Sequence, residues 1–359
     1  MERGEAQKRT GEKEELLKKA APLLTDWFQK NGRSLPWRGT KDPYRILVSE
    51  TMLQQTRIET VLRYYGRFLE RFPDLAALAA AGEEEVLKLW EGLGYYSRAR
   101  NLKKAAERCV QASGGRLPET AAQLKKLPGI GEYTAGAVAS LAFGEAAPAV
   151  DGNVLRILAR FLADERDVML PAVKKEAGAL LESVLSGLPD PGLFNEALME
   201  LGELVCVPNG KPLCRHCPLK ESCLARQRGL EEDLPQRGAL KPRRIEKKTV
   251  LLLACGGKTA LEKRPERGLL AGLYGFPLLD GRLEKADLRA FLESYGAGRA
   301  GIREAGEAVH VFTHVEWHMQ AWRIETEEEL PGFVYAEKDE LKERYALPSA
   351  FKYFVTAAF

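Results

Sequence analysis

The sequence predicts a multi-domain protein, an all-α helical part followed by a smaller α/β part, and three observations carry this. From about Glu12 to Cys206, Ala/Leu-rich segments place apolar residues three and four apart, the spacing of helices with one buried face. From Arg226 to Lys248 the chain is charged, holds two prolines and shows no sustained apolar period, which reads as a linker. Beyond it, short apolar and alternating runs of strand type take over. A length of 359 residues accommodates two such domains.

Taken in order, the helical part contains Glu84–Trp90, Arg100–Ala112, Thr134–Ala142 and Asn153–Leu162 as its clearest segments. Gly and Pro punctuate it at Arg33–Pro36, Pro128–Gly131 and Pro189–Gly192, so the helices are short and must bury their apolar faces against each other as a bundle. After the linker, Thr249–Ala254 reads as a strand and Lys285–Tyr295 as a helix. His310–Trp322 alternates in part, and Phe333–Tyr335 is another short strand. The expected boundaries are 8–225 for the helical domain (with parts at about 36–143 and 144–225), 226–247 for the linker and 248–359 for the second domain.

Composition excludes several classes. At 45% hydrophobic and 29% charged the chain is ordinary globular protein, and no apolar run approaches the length of a membrane span. Met1–Lys19 is charged and lacks the apolar core of a secretory signal, so a reducing cytoplasm is expected, with association to the nucleoid if the source is bacterial. A net charge of +3 neither requires nor excludes nucleic acid, so local clusters must decide.

The densest local signal is a set of four cysteines, Cys206, Cys214, Cys217 and Cys223, crowded into eighteen positions. Four thiolates hold either zinc or an iron–sulfur cluster. Zinc sites usually pair two short Cys-x2-Cys knuckles; here only Cys214 and Cys217 form one, and the long-short-medium spacing suits a cubane better. A second signal is Leu127-Pro-Gly-Ile-Gly131 between two helical patterns. Gly129 and Gly131 allow a tight hairpin with outward N–H groups, Ile130 plugs back into the core, and the helix start near Tyr133 favours a phosphate.

Together these features resemble the helix-hairpin-helix DNA glycosylase superfamily, and within it the MutY adenine glycosylases. The resemblance spans nearly the whole chain. It rests on Leu35-Pro-Trp-Arg38, Ser49-Glu-Thr-Met-Leu-Gln-Gln-Thr56, Glu91-Gly-Leu-Gly-Tyr-Tyr-Ser-Arg98, Leu127–Thr134, Val150-Asp-Gly-Asn-Val154, the cysteines and Phe312-Thr-His314. Seven residues separate Cys206 from Cys214, one more than the family's usual six. The resemblance implies a helix-hairpin-helix glycosylase fold with an iron–sulfur loop, one [4Fe-4S] cluster on Cys206, Cys214, Cys217 and Cys223, and a Nudix-like second domain. The implied partner is double-stranded DNA carrying A:8-oxoguanine or A:G mispairs, met by a monomer with no membrane involved.

Cleaving a purine from its sugar needs an acid to neutralise the leaving base and an anion to steady an oxocarbenium-like centre, which two carboxylates of separated pKa supply. Glu50 follows the apolar Ile46-Leu-Val48 on an expected buried helix, where burial keeps a carboxyl protonated. By resemblance it is the general acid at adenine N7. Asp151 precedes a clear helix start and suits an N-cap; there the helix dipole is expected to lower its pKa and keep it ionised. By resemblance it stabilises the cationic sugar.

The resemblance also separates glycosylase from lyase. The endonuclease III-like branch carries a lysine nucleophile two positions after the second hairpin glycine; here that position is Tyr133, which cannot form a Schiff base. A monofunctional glycosylase is expected, with Tyr133 beside the reacting nucleotide or Glu50. Trp37, Arg38 and Glu196 correspond to the adenine pocket. Gln55 corresponds to the residue that fills the stack, with Gln54 and Leu53 nearby, and Tyr95 to a wedge beside the opposite base. Gly129, Gly131 and Asn153 belong to the DNA-binding motifs. Arg98, Arg100 and Lys103, and in the cysteine loop Arg215, His216 and Lys220, suit phosphate contact. In the second domain Phe312, Thr313 and His314 stand where the family often has Phe-Ser-His, and Thr313 keeps the hydroxyl that can meet the lesion's N7–H. A glutamate-dense Arg-Glu-x-x-Glu-Glu helix is missing after Gly268–Pro277, so pyrophosphatase activity is not expected.

Overall fold

The computed structural model describes residues 2–238 and 242–359. Twelve α-helices precede the first strand among the described residues: α1 (Glu2–Asn31), α2 (Pro43–Leu53), α3 (Ile58–Arg71), α4 (Leu75–Ala80), α5 (Glu83–Leu89), α6 (Ser97–Ser113), α7 (Ala121–Leu124), α8 (Glu132–Phe143), α9 (Gly152–Phe161), α10 (Pro171–Leu185), α11 (Pro191–Leu204) and α12 (Leu224–Arg228). Local chemistry sets several starts. Asp42 caps α2 by accepting from the Tyr44 and Arg45 amides, with Pro43 in its first turn. Asp190 does the same for α11 through the Leu193 amide at 2.9 Å, again followed by a proline.

Contacts divide the chain into two compact units, Met1–Ala80 with Asn101–Ala239 and Ala81–Arg100 with Leu240–Phe359. This is not the contiguous partition read from the sequence, which assigns Ala81–Arg100 to the helical part. Specific bonds within the second unit account for it. Lys88 Nζ donates to the Tyr345 carbonyl at 2.9 Å, Lys352 pairs with Glu91 at 3.4 Å, and the Arg100 guanidinium donates to the Ala271 carbonyl.

In the first unit one core joins α1, α9, α10 and α11, with Leu24, Phe161, Leu185, Phe194 and Leu201 almost without exposed surface. Burying each such side chain contributes about 2 kcal/mol. Helix α1 begins well before Glu12, where the charged sequence shows no apolar stripe.

The second unit is built on a sheet ordered β3-β2-β1-β6-β5, with β4 paired to β1 and β7 to β2. The strands are β1 (Arg244–Cys255), β2 (Lys258–Lys263), β3 (Tyr274–Gly275), β4 (Leu278–Asp280), β5 (Gly301–Val311), β6 (Val315–Glu325) and β7 (Val334–Ala336). Strands β1 and β6 run parallel from Arg244 opposite Val315 to Ala254 opposite Glu325. Leu288 and Leu292 of α13 (Lys285–Glu293) cover Leu251, Leu253 and Ile324 on one face. On the other face Phe351 and Phe354 pack on Val250, Leu252 and Trp317. Two expectations need correction. His310–Trp322 is not one strand but the hairpin β5–β6, turning at Phe312–His314, where the alternation happens to carry across the turn. The first strand starts at Arg244 inside the expected linker, because its first half is exposed and charged and so carries no hydrophobic signal. Residues 239–241 of that linker lie outside the described residues.

Candidate active site

Helix α2 carries Glu50 into a cavity of 730 Å³ in the first unit. Its walls come from four places: Trp37 and Arg38 before α2, Glu50 and Leu53 of α2 with Gln55 to Glu59 after it, Tyr133 at the start of α8, and Asp151 and Asn153 at the start of α9 with Glu196 of α11. Only 5% of Glu50 is exposed, and its Oε2 has no hydrogen-bond partner. Burial pushes its carboxyl up to about 7. A hydrogen bond from Tyr133 partly offsets this, and the negative charges of Asp151 and Glu196 add to it. Near neutrality Glu50 therefore holds its proton much of the time and has one oxygen without a partner at the cavity, an arrangement able to give up a proton. The Tyr133 hydroxyl also lies 3.4 Å from the Met199 sulfur, and burial raises its pKa well above the ordinary phenol value.

Asp151 is the N-cap of α9. Its Oδ1 accepts from the Val154 amide at 2.8 Å and its Oδ2 from Asn153 Nδ2 at 3.1 Å. The cap is as the sequence suggests, but the expected fall in pKa is not observed. Burial raises the Asp151 carboxyl above its ordinary value and outweighs the bonds from Val154 and Asn153. Asn153 is itself held: its Oδ1 accepts from Arg156 Nη2 at 2.9 Å, and Arg156 Nε donates to the Cys206 carbonyl at 2.7 Å. Arg156, only 2% exposed, thus ties the first residue of the cysteine loop to the residue that orients Asp151.

Sequence reasoning missed Glu200. It has no exposed surface and receives both Arg33 and Arg38 in forked pairs, at 2.7–2.9 Å and 2.6–2.9 Å. Burial alone would raise its pKa; the two guanidinium groups override that and hold it at about 2. Arg38 is thereby fixed at the cavity wall, while Trp37 is locked edge-on against Tyr65 at 5.3 Å. Glu196 lines the cavity, and burial raises its pKa. Only the four-residue spacing from Glu196, on the same face of α11, could have pointed to Glu200.

Residues 48–183 match the family model described as HhH-GPD superfamily base excision DNA repair protein, and residues 249–357 match the NUDIX domain. The human adenine DNA glycosylase is 35% identical over 86% of this chain and 67% of its own length. The chain belongs to the adenine DNA glycosylase family. The enzyme of that name from Buchnera aphidicola subsp. Baizongia pistaciae is 34% identical over 81% of this chain and 82% of its own. Among solved structures, a thermostable thymine-DNA glycosylase aligns with a TM-score of 0.52 at 28% identity, covering 61% of this chain and 99% of that one. The protein is thus a DNA glycosylase of base excision repair with a Nudix-like second domain.

Other residues of the glycosylase fall as follows. Leu53 and Gln55 line the cavity mouth; Gln55 is exposed with a φ of 56°, a left-handed conformation that a glutamine adopts only when its surroundings hold it. Gln54 is turned inward, donating to Thr134 Oγ1 at 3.1 Å. In the hairpin Ile130 is buried, Gly131 caps α8, and Gly129 has a φ of 74° with Asn101 only 2.5 Å from where a Cβ would sit, so no other residue fits there. The expected phosphate contacts Arg98, Arg100 and Lys103 are not free for that task. Arg98 is 7% exposed and bonded to its own loop, Arg100 pairs with Glu83 at 3.0 Å, and Lys103 pairs with Glu107. In the second unit Phe312 packs edge-on against Trp317 at 4.9 Å, Thr313 and His314 are exposed at the hairpin tip, and the Tyr95 and Thr313 hydroxyls meet at 3.1 Å.

None of the four loop cysteines is in a disulfide. Burial pushes Cys217 up to about 12, with Cys206, Cys223 and Cys214 close enough to add to the effect. Arg160 Nη1 lies 3.4 Å from the Cys206 sulfur. Among the described residues no three His, Cys, Asp or Glu side chains are drawn together as a single metal ion requires. No described helix is long and apolar enough to cross a membrane.

Proposed function

We propose that this glycosylase hydrolyses the N-glycosidic bond of adenine mispaired with 8-oxoguanine or guanine in duplex DNA, acting as a monomer and leaving the abasic strand uncut. The observation that carries the reading is Glu50, a buried carboxyl held near pH 7 with one oxygen unpartnered in the cavity. The flipped adenine enters between Trp37, Arg38 and Glu196, Glu50 gives its proton to N7, and the base leaves neutral. The carboxylate of Asp151, oriented by Asn153, offsets the positive sugar until water adds. Gln55 fills the vacated stack, with Leu53 and Gln54 behind it, while Gly129 and Gly131 present amides to a phosphate.

Recognition of the opposite base falls to Tyr95 and the Phe312–His314 tip, a reading supported by the Tyr95–Thr313 hydrogen bond. In that unit Asp287 and Glu284 of α13 are engaged with each other's backbone in a capping box, which supports a reader in place of a magnesium-dependent hydrolase. Cys206, Cys214, Cys217 and Cys223 would hold the [4Fe-4S] cluster, whose four iron–thiolate bonds would fix the loop that offers Arg215, His216 and Lys220 to phosphates. Purified protein should contain about four irons per chain. Cys217→Ala should lower both the iron content and the melting temperature; unchanged iron content would exclude Cys217 as a ligand.

The test of the whole reading is single-turnover incubation with an end-labelled duplex carrying A opposite 8-oxoguanine. Strand cleavage should appear only after hot alkali, since Tyr133 offers no amine for Schiff-base chemistry. Cleavage without alkali would place the protein with the lyases, and binding without any excision would make it a silent lesion reader.

A further inference from the structure

The Glu91–Arg98 segment contains a buried cation that the proposed reaction does not use. Arg98 lies under its own loop. Its Nη2 donates to the Leu93 carbonyl at 3.1 Å and the Gly94 carbonyl at 3.0 Å, and its Nε lies 3.4 Å from the Tyr95 carbonyl. The guanidinium carbon stands 5.4 Å from the ring centres of both Trp90 and Tyr95. Trp90, with no exposed surface, donates through Nε1 to the same Gly94 carbonyl at 3.1 Å. Three successive carbonyls turned toward one side chain require an unusual backbone path, and the loop has one: φ is 104° at Gly92, 70° at Gly94 and 46° at Tyr95. For a tyrosine that conformation is strained and needs compensation from its surroundings. The outcome is a Tyr95 that is 46% exposed, with its hydroxyl 3.1 Å from that of Thr313.

We propose that Arg98 is a positioning residue for opposite-base selectivity: by gathering the Leu93, Gly94 and Tyr95 carbonyls it holds Tyr95 in its left-handed conformation and poses its ring and hydroxyl beside Thr313. Five fixed donors in one plane suit this; a lysine keeps the charge over the two rings but cannot serve three carbonyls in a fixed fork. The inference rests on the reading of Tyr95 and Thr313 as the opposite-base reader.

The test compares the full-length protein with Arg98→Lys, Tyr95→Ala and the double variant. The readout is affinity for two duplexes whose adenine nucleotide resists hydrolysis, one with 8-oxoguanine opposite and one with guanine. Arg98→Lys should lower the ratio of the two affinities by roughly tenfold, about 1.4 kcal/mol. The double variant should lose no more than Tyr95→Ala alone, since both remove one interaction. The dependence of affinity on salt should not change. A retained ratio, losses that multiply in the double variant, or a salt slope smaller by about one, the mark of a lost phosphate contact, would each overturn the proposal. Gly94→Ala, which strains the same loop and leaves Arg98 in place, should reproduce the lost ratio, and a normal ratio there would count equally against it. If wild type and Tyr95→Ala show the same ratio, the opposite-base reading of Tyr95 itself has failed, and the positioning role with it.

Discussion

Glu50→Gln should lower single-turnover excision of adenine by about a thousandfold while leaving affinity for the mispair within a few-fold of wild type. The amide keeps the shape of the carboxyl but has no proton to give, and nothing else buried at the cavity combines a raised carboxyl pKa with an unpartnered oxygen. Because the acid form is the active one, the wild-type rate should fall as pH rises through about 7, and that limb should vanish from the residual activity of the variant. Stability should also fall with rising pH. Glu50 has a folded-state pKa above the ordinary 4.5, so its environment costs nothing below pH 4.5 and increasingly destabilises the fold as pH rises through about 7. The shift corresponds to at most about 3 kcal/mol at alkaline pH. Melting curves of wild type and Glu50→Gln should therefore converge below pH 4.5, separate between 4.5 and about 7 and keep a constant gap above that, with the variant the more stable. Retained excision would remove Glu50 from the mechanism, and a variant less stable than wild type at pH 8 would contradict the burial argument.

Much of this was legible in the sequence because the relevant signals are local. The apolar run before Glu50, the helix start after Asp151 and the Gly-Ile-Gly turn each specify their own surroundings within a few residues, and the structure places the three in or beside one cavity wall. Signals that depend on distant partners were not legible. Glu200 reads as one more polar residue on α11, and only its meeting with Arg33 and Arg38, more than 160 positions away, makes it a clamp. Arg98 reads as one of three cations on a helix surface, whereas its bonds run back into its own loop. The raised pKa of Asp151 is of the same kind: a cap is a local pattern, but burial is a property of the assembled fold. The first half of strand β1 shows the limit from the other side, since an exposed charged stretch in a parallel ladder looks like a linker until its neighbour is known.

Glu200→Gln should cost about 3 kcal/mol, near the low end for breaking a buried ion pair because Arg33 keeps some access to water. Wild-type Glu200 has a folded pKa of about 2 against an ordinary 4.5, so its stabilising effect is complete above pH 4.5 and is lost as pH falls toward 2. The stability gap between wild type and variant should be constant near neutrality and close over that acid window. A second consequence reaches the chemistry. Arg38 already pulls the Glu50 pKa downward, and the Glu200 carboxylate engages both of its terminal nitrogens. With glutamine at position 200 the Arg38 charge is uncompensated at the cavity wall, Glu50 ionises more readily, and the alkaline limb of the rate profile should move to lower pH. Rates measured well below that limb should recover toward wild type, because the acid itself is intact. A lower rate with an unmoved limb would mean that Glu200 acts only by holding Arg38 in shape, and a limb displaced upward would reverse the electrostatic argument.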